Sequence, residues 1–91
     1  MEKNTIVTKT EGFTVRKMGD ETLILDPSGL AIHVADEVGS FIYQQVDGIK
    51  SLTEILADIL NAYDIDEKTA ETDLMAFIDE LESQKILGIR S

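Results

Sequence analysis

His33 is the only histidine in this 91-residue chain, and there is no cysteine. Nucleophilic catalysis through a Cys–His or Ser–His pair therefore has little to draw on, and thiolate metal sites and disulfides are excluded. Acid–base work needs several groups converging in a pocket that excludes water. His33 has no such company: it sits between Ile32 and Val34 in a run of strand-forming residues, and strand periodicity puts its side chain on the face opposite theirs. It reads as a partly exposed strand residue. Asp64-Ile65-Asp66 opens like a calcium loop, but the next alternate position is Lys68 and the loop glycine is missing, so a cation stands where an oxygen ligand is required. Asp79-Glu80 are neighbours on a helical segment, a solvated pair and not two carboxylates facing across a cleft. The six glycines fall mostly at turns and helix ends and form no phosphate-cradling loop. Ser28 or Ser40 would be the attachment point if this were a small acidic carrier protein with a phosphopantetheine arm. Neither lies in an Asp-Ser-Leu sequence, and the strands that lead the chain have no counterpart in such carriers. The expectation is a protein that is not an enzyme and holds no metal or cofactor.

Charge narrows the partners further. Eight basic residues stand against eighteen acidic ones, a net charge of -10. The imbalance is uneven, with a net of -3 over residues 1–50 and -7 over residues 51–91. Phosphate backbones and anionic lipids need clustered Lys and Arg, so neither nucleic acid nor a membrane surface is an expected partner. A winged-helix transcription regulator would need a basic helix face, whereas the helical half offers Lys68 and Lys85 among acids. Met1-Glu2-Lys3-Asn4 is not followed by an apolar h-region, and no apolar run is long enough to span a bilayer, which predicts a soluble, cytoplasmic protein.

Ninety-one residues with 43% apolar side chains suit one domain with one core. Residues 1–12 read as a flexible arm and 13–91 as the domain. Phe13 to Met18 alternates as a half-buried strand, Gly19-Asp20 supplies a hairpin turn, and Thr22 to Leu25 forms the second strand. Asp26-Pro27-Ser28-Gly29 is the strongest turn in the chain, and Leu30 to Val34 should follow as a third strand. Three strands cannot close a barrel, so at least one edge must present unpaired N–H and C=O groups.

The remainder has helical periodicity. Asp36 with Glu37 starts a helix carrying Val38, Phe41, Ile42 and Val46, which Asp47-Gly48 stops. Ser51-Leu52-Thr53-Glu54 is a capping-box pattern opening a second helix. A third should begin near Asp64 to Asp66 and run to about Ile86, with Ala70, Leu74, Phe77, Ile78 and Leu81 in one arc and Met75 at its shoulder. The fold class is α+β: a three-stranded antiparallel N-terminal sheet followed by three helices.

Val34 through Gly48, Ser51-Leu52-Thr53-Glu54-Ile55 and Asp73-Leu74-Met75-Ala76-Phe77-Ile78-Asp79-Glu80-Leu81 resemble the PqqD family. This is the pyrroloquinoline quinone (PQQ) synthesis protein D group, the precursor-peptide recognition elements of ribosomal peptide (RiPP) modification systems. The resemblance covers about Phe13 to Ile89. It implies a winged-helix-like helical bundle behind the sheet and a non-catalytic role: capture of a precursor's leader peptide by β-augmentation and its presentation to a modifying enzyme, commonly of the radical-SAM type. It further implies that Leu30, Ala31, Ile32, His33 and Val34 supply main-chain partners, and that Leu74, Phe77, Ile78 and Leu81, flanked by Asp73, floor the adjoining groove. Two or three anchors worth about 1.5 to 3 kcal/mol each, less the ordering cost of a flexible peptide, correspond to micromolar to nanomolar binding. Self-pairing of the same edge would give a homodimer.

Overall fold

The structure, a computed structural model, describes residues 4–90. Five strands and three helices follow in the order β1 (Ile6–Lys9), β2 (Thr14–Met18), β3 (Glu21–Leu25), β4 (Ile32–Ala35), α1 (Glu37–Gln45), α2 (Leu52–Ala62), α3 (Glu67–Ser83) and β5 (Leu87–Arg90). The strands divide into two antiparallel sheets, β2-β3-β4 and β1-β5.

The expected three-stranded sheet and three helices are present, and two of the boundaries move. Leu30 and Ala31 precede β4 instead of opening it, because the turn after β3 is longer than a simple four-residue reversal. The Asp26 carboxylate accepts the Ser28 N–H at 2.7 Å, the Gly29 N–H returns to the Asp26 carbonyl at 2.8 Å, and the ladder resumes only where the Asp26 N–H reaches the Ala31 carbonyl at 3.0 Å. The hydrogen bond from the Ser28 hydroxyl, with that from its N–H, holds the Asp26 carboxyl below the usual carboxylate range. Gly29 takes a left-handed φ of 77° here, as the turn requires.

The third helix is shorter than its periodicity predicts. It is capped by Asp66, which accepts the Thr69 N–H at 3.1 Å, and its last helical residue is Ser83. Its C-terminus is a Schellman motif: the Ile86 N–H bonds to the Leu81 carbonyl at 2.9 Å and the Lys85 N–H to the Glu82 carbonyl at 2.9 Å. Lys85 occupies the left-handed position at φ 64°, where glycine is the usual residue. That reversal frees Leu87–Arg90 to form β5.

A second sheet was not expected. The arm predicted over residues 1–12 holds β1 at Ile6–Lys9, paired with β5 from Ile6↔Arg90 to Lys9↔Leu87. Residues 1–3 of that arm lie outside the described residues. Val7 is fully buried and Leu87 nearly so, so this sheet closes the base of the core. The Leu52 N–H donates to the Thr5 carbonyl at 3.0 Å, tying the strand to the start of α2.

The helices form where their caps predict. Asp36 accepts the Gly39 N–H at 2.8 Å to start α1. The capping box of α2 is complete, with Ser51 N–H to Glu54 at 2.9 Å and Glu54 N–H to Ser51 at 3.3 Å. Between them, the Asp47 carboxylate takes the Ile49 and Lys50 N–H groups at 2.9 and 2.8 Å and is held below its ordinary pKa by those bonds. The core joins Ile24 of β3 and Val7 of β1 to Ile42, Ile55, Ile59, Leu74 and Ile78 of the helices. A buried hydroxyl pair, Thr22 with Ser40, pins the sheet to α1.

Candidate functional site

Strand order leaves β2 and β4 as the two outer strands of their sheet. The register pairs Leu25↔Ile32, Ile24↔His33, Leu23↔Val34 and Thr22↔Ala35. Since the Asp26 N–H bonds to the Ala31 carbonyl, bonded pairs alternate from that point, which makes Ile24↔His33 and Thr22↔Ala35 the bonded ones. The N–H and C=O of Ile32 and of Val34 consequently point away from β3, toward the open edge. Of the five residues expected to supply main-chain partners, these two are in a position to do so. His33 spends its main-chain groups on β3, and Leu30 and Ala31 lie before the strand.

Side chains alternate in the opposite sense. Directly paired residues share a face, so His33 lies with Ile24 on the side of the sheet that meets the helices. Ile32 and Val34 lie with Leu25 and Leu23 on the outer side, 60% and 51% exposed. His33 reaches α3, where its ring meets Phe77 edge to face with 6.4 Å between centroids. This contact bridges a trough between β4 and α3.

Recesses lie along the trough, neighbouring ones sharing His33 or Phe77 in their linings. One, of about 160 Å³, lies at the start of β4 against Phe13, Ile24, Gln84 and Ile86. A second, of about 210 Å³, lies between His33 to Asp36 and the Phe77 and Glu80 side chains. The third and largest, about 300 Å³, lies past the C-terminal end of β4, between α1 and α3. Its apolar surface is Val38, Ile42, Ala76 and Phe77, and its rim is Asp36, Asp73 and Glu80. On α3 the spacing Asp73, Phe77, Glu80 sets one face of the helix toward the trough.

The helix residues expected to floor the groove thus separate. Phe77 and Asp73 line it. Leu74, Ile78 and Leu81 do not: they are 1%, 0% and 0% exposed and face the core, so they form the structure behind the wall and not its surface. A single arc was too coarse to separate these faces. Phe77 lies at the arc's margin, which is where a side chain can meet both core and solvent.

Asp36, Gly39, Ala76 and Glu80 were not anticipated as site residues. Glu80 had a signal, being three residues beyond Phe77 and seven beyond Asp73 on the same helix face. Gly39 had none. A Cβ there would lie 2.8 Å from Phe77 Cε1, so the missing side chain on α1 is what lets the Phe77 ring seat beside it. Among the described residues, no three His, Asp or Glu side chains lie close enough to hold a metal ion. The rim carboxylates are accordingly spread around the recess instead of converging on a point. No helix among the described residues is long and apolar enough to cross a membrane.

A family model described as coenzyme PQQ synthesis protein D (PqqD) matches residues 21–87. That span includes β3, β4, all three helices and the trough between β4 and α3. Among solved structures, TbiB1 in complex with the TbiA(beta) leader peptide is similar with a TM-score of 0.78 and 26% identity, over 88% of this chain and 93% of that one. No curated protein matches the sequence.

Proposed function

The chain belongs to the PqqD family, and from that premise we propose that it is a non-catalytic recognition element that binds the leader of a ribosomally made precursor peptide by strand addition. The observation that carries this reading is the open edge of β4, whose outward main-chain groups at Ile32 and Val34 run beside a trough containing Phe77. An added strand would satisfy those groups, and alternate side chains would fall on either face of the enlarged sheet. One set enters the trough over His33 and Phe77; the other lies beside Ile32 and Val34. The similarity to TbiB1, seen with a leader peptide, supports the same use of the fold. The arrangement of the sheet and three helices reads as winged-helix-like, with the trough in the role of the peptide groove.

Presentation to a separate modifying enzyme, of the radical-SAM type, completes the proposed role. The domain itself supplies backbone pairing and pockets, and the chemistry belongs to the partner. The test is a titration of isotope-labelled protein with the leader segment of a candidate precursor peptide. Amides of residues 32–35 and of the Asp73 to Glu80 face should shift together. Shifts confined to β2 or to β1 and β5 would contradict the proposed site.

A further inference from the structure

The recess past the end of β4 pairs an apolar lining with carboxylates of one charge sign. Val38 and Ile42 from α1 and Ala76 and Phe77 from α3 supply the lining, and Asp36, Asp73 and Glu80 stand at the rim. None of these three carboxylates is ion-paired with a Lys, Arg or His among the described residues. Asp36 uses one oxygen to cap α1. Asp73 and Glu80 are exposed on the face of α3 that carries Phe77.

Building on the strand-addition reading, we infer that this recess receives the side chain of an arginine or lysine of the bound peptide. The occupant that fits is long and amphipathic: an aliphatic stem lies along Val38, Ala76 and the Phe77 ring, while a cationic head reaches the rim. A recess of about 300 Å³ is large enough for one such side chain without a change in the helices. An acidic or neutral polar head would leave the rim charges without a counterpart, and a short apolar side chain would leave the rim uncovered. The net charge of -10 acts in the same direction, favouring approach of a basic segment and opposing a second copy of this chain. Because the recess continues the line of β4, the basic residue belongs at one end of the paired stretch, next to apolar residues at alternate positions. The site thus selects an extended, apolar peptide with a cationic terminus to its contact segment.

The test is selection of displayed random dodecamer peptides against the intact protein, followed by solution binding of synthetic versions. Selected peptides should share an Arg or Lys at one position and lose binding to a Val34→Pro variant. Replacing that Arg or Lys by Gln should weaken binding about five- to tenfold on the unmodified protein and leave it nearly unchanged on Asp73→Lys/Glu80→Lys, as expected for exposed ion pairs acting together. Both lysine substitutions are at exposed helix positions, and a thermal melt confirms that the variants fold. Peptides that depend on Val34 but show no cationic preference would overturn the basic subsite while leaving strand addition standing. Peptides indifferent to Val34→Pro, or no selected peptide at all, would overturn strand addition and the subsite with it.

Discussion

β2 and β4 are the two outer strands of one sheet, and each leaves main-chain groups without a strand partner. The Gly19-Asp20 turn makes Met18↔Glu21 a bonded pair, so Val15 and Lys17 point their N–H and C=O outward on β2 just as Ile32 and Val34 do on β4. What lies alongside differs. β2 is exposed at all five positions and carries Arg16 and Lys17, the charged character that discourages pairing with another strand. β4 has no charged residue, exposes Ile32 and Val34, and borders a trough with Phe77 on its far wall. On the proposed reading an open edge is only half of a peptide site: backbone pairing would give attraction without discrimination, and the neighbouring helix would make one edge a reader of side chains.

The largest expected effect tests whether the wall behind that trough depends on the core. Ile78→Ala should cost about 2–5 kcal/mol of unfolding free energy, the range for emptying a fully buried aliphatic site; denaturant unfolding measures it. A cost near zero would show that Ile78 faces the trough and not the core. Next comes a paired substitution across the two edges. Val34→Pro removes an outward donor from β4 and should weaken leader-peptide binding about tenfold or more. Lys17→Pro makes the equivalent change on β2 and should leave affinity unchanged. Isothermal titration of both folded variants decides it, and equal losses would erase the difference between the edges. His33→Pro is a different experiment, because its N–H belongs to the ladder with β3, and it should destabilise the sheet itself.

Smaller effects concern what holds α3 and β4 in place. Lys85→Gly should raise stability by about 1 kcal/mol, since Lys85 bears the cost of a left-handed conformation at the Schellman position; thermal unfolding reads the gain. At the other side of the trough, Asp26 anchors the turn before β4 through Ser28. Its carboxyl is depressed, so the support it gives is fully present above its ordinary pKa of 3.8 and is lost as pH falls through the lower folded value. Acidification should raise amide exchange at the Asp26–Ala31 closure earlier than in the β2-β3 ladder. An Asp26→Asn variant should lack that extra pH dependence.

These details also explain what was legible in the residues alone. Turns and caps were, because Gly19-Asp20, Asp36, Ser51-Glu54 and Asp66 act through neighbours a few positions away. The sheet of β1 and β5 was not: Ile6–Lys9 is four residues long, and its pairing partner lies at Leu87–Arg90, the opposite end of the described chain. The end of α3 was hidden for a related reason. Its reversal is built on Lys85, which gives none of the signal a glycine would. The edge strand was anticipated to within two residues, but which of its residues face outward required the position of the Asp26–Ala31 closure. On α3, Phe77 and Asp73 line the trough while Leu74, Ile78 and Leu81 are buried, a division the sequence left open because a shared arc does not say which margin of a helix meets the core.

The central claim is that a leader peptide pairs with β4 and leaves β2 open. Amide hydrogen exchange with and without bound peptide tests it residue by residue. The N–H groups of Ile32 and Val34 should slow by about tenfold or more at saturating peptide, as new main-chain bonds form, while those of Val15 and Lys17 stay unchanged. Slowing at Val15 and Lys17, or no slowing at Ile32 and Val34 under saturation, would contradict the account.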